Sequence, residues 1–364
     1  MKYFFILGRN PDLSRAEIYS YFESRAIEFK EIVYNGNILL VDLKSEQKLD
    51  INEFGGIVMI GKILFSGLKK EVLDFIDQDE LIPADKFSFN VIGNYDIEQE
   101  VYKKFKKEGK KAMLRHGRGQ IKRQDDEIIE LPNADFHLFC FKQNSIYFGV
   151  VDQTFSAKEI KHRDMNKPVR REQLAISPRL AKILINLSQV KPGERLLDPF
   201  CGVGGIMQEA IIFGINSYGI DNDRTAIIDA KKNLDWIKNN YKNSANFELK
   251  LLDSKHAPEM NFDGIASESS LGELTKKKLN EREAEAFINN FERRIIPLLK
   301  KFKNIKKPDG LIAITFPFIR KYSVNIVRIL QETGLRIFSN NTIKFPIREF
   351  RKDQFVSREI FVFR

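Results

Sequence analysis

Two hydrophobic rhythms alternate along this chain. Near the start, KYFFILG is a continuous apolar run and predicts a strand. PDLSRAEIYSYFESR places Ala16, Tyr19 and Phe22 at helical spacing, with Asp12 or Ser14 available as a cap, and predicts a helix. GNILLVDL follows an Asn-Gly-Asn turn signal and predicts a second strand; a helix and a further strand near VMIGKILF complete a small α+β unit. A proline in a polar cluster at 82–85 marks a boundary. FSFNVIG then predicts a strand. IEQEVYKKFKKEGKKAM predicts a helix with Val101 and Phe105 on one face and lysines on the other. FHLFCFKQNSIYFGVVD predicts a hairpin around KQNS. From 153 to 173 the chain is polar and charged and is expected to be a linker.

At Ser177 the pattern changes. SPRLAKILINLSQV opens with a serine cap and a proline at the first helical position, and Leu180, Ile183, Leu184 and Leu187 share one helix face. Strand and helix signals then alternate: RLLDPF, GGIMQEAIIFG, SYGIDND, RTAIIDAKKNLDWIKNN, NFELKLLDS, FDGIASES, a helix near 281–302, and GLIAITFPF. Such alternation predicts a parallel, doubly wound α/β sheet. LRIFSNNTIKFPI and SREIFVFR close the chain as an expected antiparallel pair. The expected divisions are 1–84, 85–155, a linker at 156–176, and 177–364.

The chemistry concentrates in LLDPFCGVGGIMQEA. A strand ends in Asp198, and Gly202, Gly204 and Gly205 lead into a helix, so a ligand can approach backbone N–H groups at the helix start. A phosphate-binding Walker loop would end in Gly-Lys-Ser/Thr, which Gly205-Ile206-Met207 does not supply. A dinucleotide fingerprint would have Gly or Ala where Met207 stands. S-adenosylmethionine is the reading that uses Asp198, because a carboxylate beside the turn suits that cofactor's charged amino group and repels a pyrophosphate. Asp221 ends the next strand, where an acid can accept hydrogen bonds from both ribose hydroxyls. Asp253 is expected to end the strand after that and can meet an adenine amino group. Any one of these acids alone also reads as a cap on the next helix, the reading preferred for Asn222 or Asp223; three in succession form a specific combination.

Composition narrows the partners. The 364 residues carry a formal net charge of +10 and a pI of about 9.3, which favours an acidic partner, nucleic acid first and an anionic membrane surface second. Two distant cysteines, Cys140 and Cys201, indicate no disulfide framework and fit a reducing cytoplasm. Four scattered histidines have no ligand spacing, so no metal site is expected. The most apolar window, GGIVMIGKILFSGL, is interrupted by Lys62 and is shorter than a membrane span, so no membrane partner is expected.

With FFILGRNPDLSRAEI, HRDMNKP, SPRLAKILINL, LLDPFCGVGGIMQEA, GIDND and NLDWI in hand, the chain resembles the THUMP-domain RNA methyltransferases that methylate the exocyclic N2 of guanosine in tRNA, most closely the guanosine-10 type. The resemblance covers nearly the whole chain. It implies an N-terminal ferredoxin-like domain at 1–84, a THUMP-like RNA-binding domain at 85–155, and a Rossmann-like methyltransferase domain at 177–364. It implies that Asp198, Gly202, Gly204, Asp221 and Asp253 contact S-adenosyl-L-methionine, and that the helix beginning at Ser177 lines the cofactor pocket. The chain departs from the family in the catalytic loop. Where relatives carry Asp-Pro-Pro-Tyr or a variant, this chain has Ser267, Glu268, Ser269 and Ser270, followed by Leu271 and Gly272. Ser267, Glu268 and Ser270 are the catalytic candidates, with Phe316 or Phe318 as a replacement for the missing aromatic.

The run YKKFKKEGKKAMLRHGRGQIKR sets ten cations against Glu108. Within a THUMP-like domain, Lys103, Lys107, Lys110, Arg115 and Arg118 are expected to contact tRNA phosphates, joined by Arg163 and Arg171 from KHRDMNKPVRR. Outside that context the same run reads as a solvated helix face. Three functions compete: an active tRNA guanine-N2 methyltransferase, an RNA-binding protein that keeps the methyltransferase fold, and an amino-group methyltransferase acting on DNA. The sequence leaves open whether a small activating protein partner is needed.

Overall fold

The computed structural model describes residues 1–94, 96–115, 133–171, 176–242, 244–269, 279–340, 342–350 and 356–364. The chain forms two compact units, one of residues 1–9, 28–51 and 57–155, the other of residues 10–27, 52–56 and 156–364.

The first unit is built on one eight-stranded sheet. In chain order the first elements are β1 (Lys2–Leu7), α1 (Pro11–Ser24), β2 (Phe29–Tyr34), β3 (Ile38–Leu43), β4 (Ile57–Gly67), α2 (Lys69–Gln78), β5 (Lys86–Gly93), α3 (Glu98–Lys107), β6 (Lys111–Leu114), β7 (Phe136–Lys142) and β8 (Ile146–Thr154). The strand order is β2-β3-β1-β4-β8-β7-β5-β6, so the stretches 1–84 and 85–155 share a sheet, joined where β4 pairs antiparallel with β8. Bulges at Ile60/Gly61 and Ile63/Phe65 let the eleven residues of β4 twist between β1 and β8. Gly61 has to be glycine here, since a Cβ would lie 2.3 Å from the Phe4 ring and from the Val150 carbonyl oxygen. Phe4 stacks on Phe139 at 3.9 Å between centroids, and Val101 and Phe105 of α3 are fully buried with Phe89 and Phe148.

The helix expected through GKKAM is shorter than its pattern implied. Gly109 takes φ +73°, the left-handed conformation that stops a helix, and Lys111–Leu114 becomes a strand parallel to β5.

The second unit includes α1. The Glu17 carboxylate, fully buried, accepts hydrogen bonds from the backbone N–H groups of Gly55 and Gly56 (2.7 Å each) and from Asn186 Nδ2 (2.9 Å). The expected linker carries a helix, α4 (Ala157–Asn166), whose N-cap Ser156 accepts from the Glu159 N–H. There follow α5 (Pro178–Leu187), β9 (Arg195–Asp198), α6 (Gly205–Ile212), β10 (Asn216–Asp221), α7 (Arg224–Asn240), β11 (Phe247–Leu251), β12 (Gly264–Glu268), α8 (Glu281–Ile305), β13 (Ile312–Phe318), α9 (Ile326–Thr333), β14 (Ile347–Glu349) and β15 (Ser357–Phe363).

These strands form a seven-stranded sheet in the order β11-β10-β9-β12-β13-β15-β14. The first five are parallel, and β15 runs antiparallel to both β13 and β14. This is the expected doubly wound sheet; LRIFSNNTIKFPI, expected as the partner of SREIFVFR, contributes only Ile347 to β14 and an isolated antiparallel bridge from Ile337 to Phe363, and α9 was not foreseen. The strand order reverses between β9 and β12, and in such sheets the carboxyl ends of the strands at the reversal open a ligand crevice. Among the described residues, no helix is long and apolar enough to cross a membrane.

Candidate active site

Asp198 is the last residue of β9, beside the reversal, and is 2% exposed. Its Oδ1 accepts from the Ser267 hydroxyl (2.6 Å) and from the Phe200 N–H (3.3 Å). Burial pushes the carboxyl up to about 7 against the relief of those hydrogen bonds, and the negative charges of Asp221 and Glu268 push the same way. Past Asp198 the chain turns on Gly202 (φ +50°) and Gly204 (φ +82°), the second capping α6. A Cβ on Gly202 would meet nothing within 4 Å, so the turn presents bare backbone toward open space.

Asp221 ends β10, adjacent to β9. Its Oδ2 accepts from the Gly202 N–H and its Oδ1 from the Asp223 N–H, both at 2.9 Å, which ties the glycine turn to the next strand. Asp253 lies two residues beyond β11. It caps a short 3-10 turn, accepts from the Lys255 N–H (3.0 Å) and pairs with the Lys255 ammonium (3.2 Å). The backbone hydrogen bond, then the ammonium, hold its carboxyl below the usual range. The structure thus brings Asp198, Gly202, Gly204, Asp221 and Asp253 to the carboxyl edge of adjacent parallel strands. Ser177 stands at the start of α5, where its hydroxyl accepts from the Leu180 N–H (3.2 Å) as a helix cap.

Glu268 is the tip of β12. It is held by the guanidinium Nε of Arg358, and both side chains are largely buried, 13% and 6% exposed. The Ser269 hydroxyl donates to the Thr315 carbonyl oxygen of β13. Ser270, Leu271 and Gly272 lie outside the described residues. Ser267, expected to be catalytic, is completely buried, and its hydroxyl donates to Asp198 Oδ1 and is not presented at the surface. Phe316 is also corrected, being a fully buried core ring against Phe291, Phe361 and Phe363. Phe318 is 8% exposed and covered by the Arg348 guanidinium, 4.1 Å from its centroid.

The cations expected to meet RNA divide. Lys103 and Arg115 are exposed. Lys107 pairs with Asp77 (2.8 Å), and Lys110, only 10% exposed, pairs with Glu80 and Glu108. Arg118 lies outside the described residues. Arg163 is corrected: it is buried in a two-pronged ion pair with Glu209 (3.2 and 3.1 Å) and is not presented to a polyanion. Arg171 bridges Asp223 (3.2 Å) and Asp229 (2.9 Å).

Two residues escaped sequence reasoning. Arg358 lies 90 positions from Glu268, with nothing local to link them. Asn233, fully buried in α7, donates to the carbonyl oxygens of Val169 and Val203 (3.0 Å each) and accepts from the Val169 N–H (2.9 Å), so it pins the glycine turn. The signal for it was a lone amide on the apolar face of NLDWI.

Residues 167–300 match the family model described as RMKL-like, methyltransferase domain. A tRNA (guanine(10)-N2)-dimethyltransferase of Pyrococcus abyssi is 26% identical over 306 residues, covering 81% of this chain and 87% of that protein. The enzyme of the same description from Methanothermobacter thermautotrophicus is 47% identical over 60 residues, 16% of this chain and 18% of its own length. The crystal structure of TrmN from Thermus thermophilus has the same fold, with a TM-score of 0.50 at 15% identity over 100% of this chain and 99% of that one. Asp198, Gly202, Gly204, Asp221 and Asp253 all fall inside the span that matches the methyltransferase-domain model.

Proposed function

We propose that this chain transfers a methyl group from S-adenosylmethionine to the exocyclic N2 of a guanosine in tRNA. The observation that carries the reading is Asp198, a buried carboxyl held near neutrality beside Asp221 and Glu268, next to a bare glycine turn. Such a site favours a ligand with fixed positive charge. S-adenosylmethionine has that charge at its ammonium and sulfonium, and the relatives described as tRNA (guanine(10)-N2)-dimethyltransferases support the substrate.

When bound, the cofactor supplies a methyl group on a positively charged sulfur. Asp198 would hold its ammonium, Asp221 the ribose hydroxyls and Asp253 the adenine amino group, with Gly202 and Gly204 allowing close approach. Glu268 is assigned to the substrate. A guanine amine is a poor nucleophile because its lone pair is delocalised into the ring. A carboxylate oxygen accepting from the amine N–H favours positive charge on that nitrogen and aligns its lone pair. Arg358 holds Oε1 of Glu268, which leaves Oε2 as the assigned acceptor. Residues 85–155 are assigned to tRNA binding, with Lys103 and Arg115 as phosphate contacts.

The test is incubation of the full chain with methyl-labelled S-adenosylmethionine and bulk tRNA. Label in the tRNA fraction is expected, reduced by Glu268→Gln and by Asp198→Asn. Wild type that binds the cofactor but labels no tRNA contradicts the reading.

A further inference from the structure

We propose that Phe350, backed by Phe318 and Arg348, is a stacking shelf for a nucleobase of the RNA substrate. The proposal rests on the function just given and adds a flat surface for a base of the bound RNA at the same edge of the sheet as Glu268. Among the described residues Phe350 is the one mostly exposed aromatic side chain, at 55%. An exposed ring is unremarkable by itself; its position and its support carry the inference.

The position follows from sheet register. β14 and β13 both run antiparallel to β15, so they run the same way, and their carboxyl ends emerge at the edge where β12 ends in Glu268. Glu349, the last residue of β14, is paired with Arg358, the residue whose Nε donates to Glu268. Phe350 is the next residue. The exposed ring therefore stands at the strand-end edge that carries Glu268, on the face of the sheet that bears Phe318 and Arg348, opposite to that of Arg358 and Glu349.

The support is rigid. Phe350 meets the Phe318 ring edge-on, 6.1 Å between centroids at 89°. Arg348 lies 4.1 Å over Phe318 while its Nε donates to Glu359 Oε1 (2.9 Å), and half of its side chain is exposed. The Arg348 carbonyl oxygen accepts from Asn10 Nδ2 (2.7 Å), which anchors the strand that bears the shelf. An aromatic ring beside a half-exposed arginine matches the chemistry of a nucleotide, a flat π face joined to an anionic phosphate. A single ring is too small for a stable protein interface, which buries about 1,200–2,000 Å² in total.

The test measures tRNA affinity and S-adenosylmethionine affinity side by side for the full chain and for Phe350→Ala, Phe350→Leu and Phe350→Tyr. Loss of one base stack is expected to weaken tRNA binding by about ten-fold in the Ala variant. The Leu variant keeps an apolar contact with Phe318 but has no π face and should lose as much; Tyr should restore binding, and cofactor affinity should be unchanged in all three. Leu or Ala binding tRNA as wild type does overturns the shelf, as does a parallel loss of cofactor affinity in the Ala variant. Failure of the underlying function shows differently, as wild type that methylates no guanosine, and tRNA affinity decides the shelf in that case too.

Discussion

At the scale of single residues, the account turns on Asp198. Its folded-state carboxyl is raised from 3.8 to about 7, so between those values the folded chain binds more protons than the unfolded one. This group's contribution to stability therefore falls as pH rises through that window. Cofactor affinity runs the opposite way, because a cation needs the carboxylate. Titration calorimetry from pH 5.5 to 7.5 should show S-adenosylmethionine binding strengthen toward the upper end, with the slope lost in Asp198→Asn. Ser267→Ala removes a hydrogen bond that lowers the Asp198 carboxyl and should move the midpoint upward. Asp221→Ala should weaken cofactor binding by about 1.5–3 kcal/mol, the range for hydrogen bonds to a charged group; unchanged affinity in a folded variant contradicts its assignment. That Asp198 and Asp221 end their strands was legible in sequence because strand ends are marked by local pattern; Asp253, expected at a strand end, falls two residues past β11 and caps the next turn. The partner of Ser267 was not, because a hydroxyl in a strand carries no signal of which distant carboxylate it meets.

At the scale of elements, side chains hold the end of β12, where the proposed substrate acceptor stands. Ser267 is tied to β9, Glu268 to β15 and Ser269 to β13. Arg358→Leu leaves Glu268 as an uncompensated, largely buried charge, a change that typically costs about 3–5 kcal/mol. Denaturant unfolding should show that loss, and methyl transfer should fall further than cofactor affinity does. Equal stability and equal turnover would remove Arg358 from the account. Most elements of the second unit were readable because strand and helix periods alternate cleanly there. Two misreadings, one in each unit, have physical causes. Lys111–Leu114 looked helical by its lysines until Gly109 turned the chain, and α4 was hidden in a polar stretch whose anchor, the Arg163–Glu209 pair, is a tertiary contact.

At the scale of the whole molecule, a net charge of +10 sets the expected dependence on salt. Lys103 and Arg115 are exposed, whereas Lys107, Lys110 and Arg163 are engaged with carboxylates. Charge reversal at Lys103 and Arg115 should weaken tRNA binding and flatten its salt dependence, because fewer counterions are released. An unchanged slope would move the RNA footprint elsewhere. Net charge was legible from composition alone; which cations are engaged within the fold was not, since ion pairs between distant segments leave no local trace. The central claim, guanosine N2 methylation, is tested most directly by nucleoside mass spectrometry of tRNA incubated with the full chain and S-adenosylmethionine. The account predicts N2-methylated guanosine, diminished by Glu268→Gln; methylation confined to another nucleoside, or none while the cofactor is bound, would contradict it.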